Sequence, residues 1–151
     1  PELSRGLGDV YKRQPLYPFG YGLSYTSFKY SKPRLSNSIL NPDKTIEVSV
    51  SVTNTGNYDG DEVVQMYIRD QISSATRPVK ELKGYQRIFL KKGETKQVSF
   101  NIDKATLAFY DIDMNYCVEP GDFSIMVGSS SDKKDLKTTT LTVKEHMVIN
   151  E

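Results

Sequence analysis

Carboxylates grouped at turns are the first residues in this chain whose types and spacing suit chemistry. Asp59, Asp61 and Glu62 stand together at the mouth of a strand, and glycosidic or proton-transfer chemistry needs two such groups at a set separation. A solvated turn whose Asx side chains bond the local backbone explains the same cluster with fewer demands. Asp111, Asp113, Asn115 and Asp122 mimic the first, third, fifth and twelfth positions of a calcium loop. Tyr116 takes the place where such a loop needs glycine, and Asp122 the place where it wants the longer reach of Glu. A hairpin tip is the simpler reading, and no metal site is expected.

The nucleophile candidates fare no better. The chain has one histidine, His146, in a tail that reads as fraying. A Ser-His-Asp triad needs an imidazole oriented by a buried acid, which such a tail does not supply. The single cysteine, Cys117, excludes an internal disulfide and any multi-cysteine metal site. It follows a tyrosine in a strand pattern and reads as a small core residue. Gly20-x-Gly22 lacks the third glycine and the strand-to-helix setting of a dinucleotide site. No catalytic residue and no cofactor are expected.

The segment Pro15 to Thr26, PLYPFGYGLSYT, is different. Tyr17, Phe19, Tyr21 and Tyr25 crowd among two prolines and two glycines. It is too broken for a helix and too apolar for a free linker, so it must lie against something. Docking onto a neighbouring domain is the favoured role for these four aromatics. Sugar stacking is the competing role, though the chain has no Trp. A basic stretch, Lys80, Lys83, Arg87, Lys91, Lys92 and Lys96, is interrupted by Glu81 and Glu94 and reads as a solvated face that discourages edge pairing.

The elements that must position these residues are strands. At 151 residues the chain allows one domain with a short arm, and a core that needs no staples. Lys plus Arg is 20 against 19 for Asp plus Glu, a balance that gives no reason to propose nucleic acid or a membrane surface as partner. No apolar run approaches the length of a membrane span. Residues 1–14 show no period and no apolar signal-peptide region, and read as a disordered or foreign leader. Residues 15–27 are the aromatic connector, 28–143 the domain, and 144–151 a tail.

Ile46, Val48, Val50 and Val52 alternate with polar residues, the mark of a half-buried strand. Val64, Met66 and Ile68 do the same, and Val63, Gln65, Tyr67 and Arg69 fall on the opposite face. An extended run follows through Leu82, Tyr85, Ile88 and Leu90, then Val98, Phe100 and Ile102. Phe109 to Val118 reads as a hairpin about Asp113-Met114-Asn115, and Phe123, Ile125 and Val127 precede a last strand from Leu136 to Val143. Asp103 to Leu107 allows one helical turn. About seven strands with turn signals between them predict an all-β, antiparallel sandwich of immunoglobulin or fibronectin type III-like form.

PLYPFGYGLSYT, GDEVVQMYIRD (60–70), RPVKELKGYQRIFLKKGET (77–95) and VEPGDFSIMVGSSS (118–131) together resemble the C-terminal fibronectin type III-like domain of family 3 glycoside hydrolases, which include β-glucosidases and β-xylosidases. The resemblance covers about Pro15 to Val143. It implies a parent in which a (β/α)₈ barrel carries the nucleophilic aspartate and an α/β sandwich domain the acid/base glutamate. Those upstream domains would be this chain's partners, and no residue here would inherit a catalytic role. The parent reaction would be retaining hydrolysis of terminal β-linked sugars, in the periplasm or outside the cell. A stand-alone carbohydrate-binding module, reading oligo- or polysaccharide with Tyr17, Tyr21, Tyr25 or Tyr85, or an adhesion sandwich, is the alternative.

Overall fold

The computed structural model describes residues 25–71 and 80–149. The leader, the connector up to Ser24, and with it Tyr17, Phe19 and Tyr21, lie outside the described residues. In chain order the elements are β1 (Phe28–Tyr30), β2 (Arg34–Leu35), β3 (Ile39–Leu40), β4 (Ile46–Asn54), β5 (Gly60–Asp70), β6 (Glu81–Leu90) and β7 (Thr95–Ile102). Then come α1 (Lys104–Leu107), β8 (Phe109–Tyr110), β9 (Tyr116–Val118), β10 (Gly121–Gly128), a 3-10 turn at Lys133–Asp135, β11 (Leu136–Val143) and β12 (Met147–Val148).

Two sheets face each other. In one, β4 runs down the middle, with β7 on one side and β1 and β2 sharing the other. The second has the order β3-β11-β10-β5-β6. Alternation explains why they pack: Val48, Val50 and Val52 of β4 and Val98 and Ile102 of β7 are buried. Val64, Met66, Ile125, Val127 and Leu141 of the second sheet are buried as well, and all of these residues belong to one core. Each such side chain contributes about 1.5–3 kcal/mol by leaving water. This is the all-β sandwich the sequence predicts.

Four details depart from the expected pattern. Among the described residues the pairing is antiparallel except for β3 on β11, which is parallel through Ile39–Thr142 and Leu40–Val143.

In β6 the run Leu82, Tyr85, Ile88, Leu90 does not share a buried face. The register slips between Met66 and Tyr67, so Gly84 faces Met66 while Leu82 faces Tyr67. That bulge turns Leu82 outward, and a Cβ at Gly84 would lie 3.0 Å from the Phe100 ring. Glycine is what lets the strand seat on the core there.

Glu62 is not a solvated turn residue. It is partly buried and accepts a hydrogen bond from the Tyr30 hydroxyl at 2.8 Å. Burial pushes its carboxyl above the usual range, against the lowering effect of that bond.

The segment after Val143 is not a fraying tail as far as Ile149. Met147 and Val148 pair with Val118 and Cys117, and Met147 is buried. The apolar Met147, Val148 and Ile149 supply the reason, since Ile149 packs on the core as well.

Candidate docking surfaces

The described part of the connector ends in a clasp built around Asn54. Its side chain is 1% exposed and uses donor and acceptor capacity together. Oδ1 accepts from the Thr26 hydroxyl at 2.7 Å and from the Gly56 N–H at 3.1 Å. Nδ2 donates to the Tyr58 carbonyl at 2.8 Å and the Leu90 carbonyl at 3.0 Å. The Asn54 backbone adds bonds to Glu94 and Gly93, and Thr55 N–H donates to the Ser27 carbonyl at 2.8 Å.

Gly56 completes the clasp. A Cβ there would collide with Thr26 and lie 2.6 Å from the Ser27 amide nitrogen. Thr26 and Ser27 therefore pass directly over the Asn54-Thr55-Gly56 turn. The sequence shows this turn but not its purpose: nothing in Asn-Thr-Gly says that a segment from before β1 will lie across it. Next to the clasped Thr26, Tyr25 is 96% exposed.

A second surface is the outer face of the five-stranded sheet. Register places Tyr85 opposite Gln65, Arg87 opposite Val63, Phe89 opposite Asp61 and Leu82 opposite Tyr67. Val63, Leu82, Tyr85 and Phe89 are all exposed, Tyr85 to 69%. Arg87 pairs with Asp61 at 2.9 Å. Beside them lies a shallow depression of about 250 Å³ lined by Arg69, Lys80, Met126, Lys133 and Thr138 among others. An apolar strip rimmed by cations suits contact with another protein surface. Tyr67 and Gln65, on the same face, are buried and bonded to each other, and Gln65 also donates to the Ser129 carbonyl.

The acidic groups of the hairpin hold structure. Asp111 Oδ1 accepts from the N–H groups of Asp113 and Asn115, each at 2.9 Å. These bonds, that of Asn115 foremost, hold its carboxyl below the usual range. Asp122 is elsewhere, accepting from the Thr142 hydroxyl at 2.8 Å, so the four calcium-loop candidates do not converge on one point.

Asp111 does have other company. The Cys117 thiol, buried in β9, donates to Asp111 Oδ2 at 3.6 Å. Burial, and then the Asp111 charge, pushes the thiol above its ordinary range. The strand formed by Met147 and Val148 brings His146 alongside, so that one ligand atom each from Asp111, Cys117 and His146 lies within 4.8 Å of the others. The sequence missed this grouping because it depends on β12.

Among known proteins, residues 62–131 match the family described as the fibronectin type III-like domain. The chain is 54% identical over 132 residues to a β-xylosidase of Formosa agariphila, covering 87% of this chain and 18% of that protein. It is 50% identical over 117 residues to the periplasmic β-glucosidase of Salmonella typhimurium, covering 78% of this chain and 15% of that protein. The β-glucosidase of Listeria innocua, solved in complex with glucose, superposes with a TM-score of 0.79 at 36% identity, over 87% of this chain and 18% of that one. The chain thus spans less than a fifth of the length of each of these relatives. No helix among the described residues is long and apolar enough to cross a membrane.

Proposed function

The chain is a fibronectin type III-like domain of the kind that β-glucosidases and β-xylosidases carry, and from that premise we propose that it is the accessory domain of a larger family 3-type glycoside hydrolase. The parent hydrolyses terminal β-linked sugars, and its two catalytic carboxylates stand on a barrel and an α/β domain outside this sequence. The domain's task is to dock on them and stabilise them. Its working compartment is the periplasm or the cell exterior, in keeping with the relative named periplasmic.

The clasp carries this reading. Thr26 is tied to Asn54 while the adjacent Tyr25 stands almost wholly in water. A connector held so firmly at one end, with its aromatic turned away from its own domain, calls for a second surface to cover it. Tyr17, Phe19, Tyr21 and Tyr25 are the proposed seats.

Deleting Pro15 to Tyr25 from the full-length enzyme is expected to lower its melting temperature by several degrees. An unchanged melting curve would sink the docking role. The 151-residue chain alone is expected to leave nitrophenyl β-glucoside and β-xyloside intact, and turnover by the pure chain would refute the accessory assignment. One observation favours a second reading, carbohydrate binding: Tyr85 offers a broadly exposed ring on an open sheet face. Affinity electrophoresis through xylan and β-glucan separates the two, with no retardation expected for an accessory domain.

A further inference from the structure

We propose that Asp111, Cys117 and His146 form a binding site for one thiophilic divalent cation, best suited to zinc, that staples β12 to the β8–β9 hairpin. The three residues come from different places: the hairpin turn, strand β9 and the loop before β12. Their ligand atoms nevertheless gather within 4.8 Å. One thiol, one imidazole and one carboxylate make a mixed S, N and O set, the combination zinc accepts and calcium or magnesium does not.

The geometry agrees in detail. With zinc bonds of about 2.3 Å to sulfur and about 2.0 Å to oxygen, the edge of a tetrahedral site is about 3.5 Å. Cys117 Sγ and Asp111 Oδ2 are 3.6 Å apart. A cation between them needs almost no movement of either. His146 is exposed, so its ring is free to swing the remaining ångström or so inward, leaving the fourth position to water.

The surroundings hold the carboxylate ready. Asp111 Oδ1 is engaged by the Asp113 and Asn115 amides, which leaves Oδ2 directed at the sulfur. Outer-shell bonds of this kind orient metal ligands before the metal arrives. On binding, the Cys117 proton passes to solvent and the thiolate becomes the ligand. Nothing here makes Cys117 a nucleophile, since it is fully buried. The consequence is mechanical: a segment held by the two pairs of β12 on β9 and by the Ile149 N–H bond to the Tyr116 carbonyl gains a further fixing point.

Cobalt(II) reports thiolate ligation directly. Titrating the reduced 151-residue chain with Co²⁺ is expected to produce a near-ultraviolet sulfur-to-metal charge-transfer band that saturates at one equivalent and is displaced by Zn²⁺. Zinc at a hundredfold excess over its dissociation constant is expected to raise the melting temperature by roughly 5–10 °C. Cys117→Ser should abolish the band. Because that change touches the core, His146→Ala is the decisive partner: its metal-free melting curve should match the parent, while metal affinity falls at least about tenfold. Absence of the charge-transfer band in the parent would show a thiol hydrogen-bonded to a carboxylate and no metal site. An undiminished zinc shift in His146→Ala would show that zinc binds without His146 and would overturn the three-residue site.

Discussion

Two turns in this domain use the same device and put it to opposite ends. At Asn54 and at Asp111 a short side-chain oxygen accepts from the backbone N–H two residues on and fixes a reversal. Asn54 is neutral and offers donors as well as an acceptor, so it can be buried with every group matched. Its side-chain partners include Thr26, 28 positions away, and Leu90, 36 positions away. Asp111 is charged and only accepts. It stays at the surface, and the side-chain bonds found for it reach no farther than Cys117, six positions on. An amide can knot distant segments inside a fold, whereas a carboxylate organises its own loop and keeps a charge available to what lies beside it. The first turn holds the described end of the connector at Thr26 and Ser27, and the second holds the candidate cation site.

The sharpest way to break this contrast is Asn54→Ala. It removes the buried bond to the Leu90 carbonyl and the partly buried ones to the Tyr58 carbonyl and the Thr26 hydroxyl, and a loss of about 2–4 kcal/mol is expected in urea unfolding. A change under about 1 kcal/mol would mean that water replaces the amide and that the clasp is not a buried knot.

Gly56→Ala comes next, at about 1–3 kcal/mol, because the new methyl meets the Thr26–Ser27 backbone. Should it prove neutral, the connector does not pass tightly over the turn.

The hairpin should respond in the other direction. Met114 holds φ at 65°, a left-handed conformation that costs an L-residue energy. Met114→Gly is expected to gain up to about 1 kcal/mol, and a loss would show that the exposed Met side chain has a contact of its own.

The smallest effect is that of pH on Asp111. Its folded carboxyl is held below the ordinary range by backbone N–H groups. Its contribution is therefore complete above the unfolded value of 3.8 and fades as pH falls through the folded one. In Asp111→Asn that acid-limb loss should shrink. Glu62 acts oppositely, because its raised carboxyl favours the folded state below 4.5 and costs stability as pH rises. Comparing Asp111→Asn with Glu62→Gln separates the two trends.

How much of this was readable in advance follows from the range of each interaction. Strict alternation over Ile46–Asn54, Thr95–Ile102 and Gly121–Gly128 needs only neighbours, and those strands are where the pattern puts them. The helical turn at Lys104–Leu107 is equally local, with Asp103 and Thr106 closing a reciprocal cap. The outward turn of Leu82 was not legible, because it depends on a bulge defined by a partner strand. The burial of Glu62 depends on Tyr30, which reaches it from β1. The company of His146 depends on a two-residue strand whose apolar content is too short to register as a period. Of the docking aromatics, sequence supplied the crowding and structure the anchor beside Tyr25, whereas Tyr17, Phe19 and Tyr21 fall outside the described residues.

The parallel bridge between β3 and β11 has a consequence in time. Ile39 meets Thr142, so one edge of the large sheet closes only after a loop of roughly a hundred residues has been drawn together, a slow event in folding. On a ribosome, β10 would emerge and wait with a naked edge until Leu136–Val143 followed. A message truncated near Asp135 would thus do worse than omit a strand. It would release a chain with Ile125 and Val127 beside an unpaired ladder, a template for aggregation rather than a shorter domain.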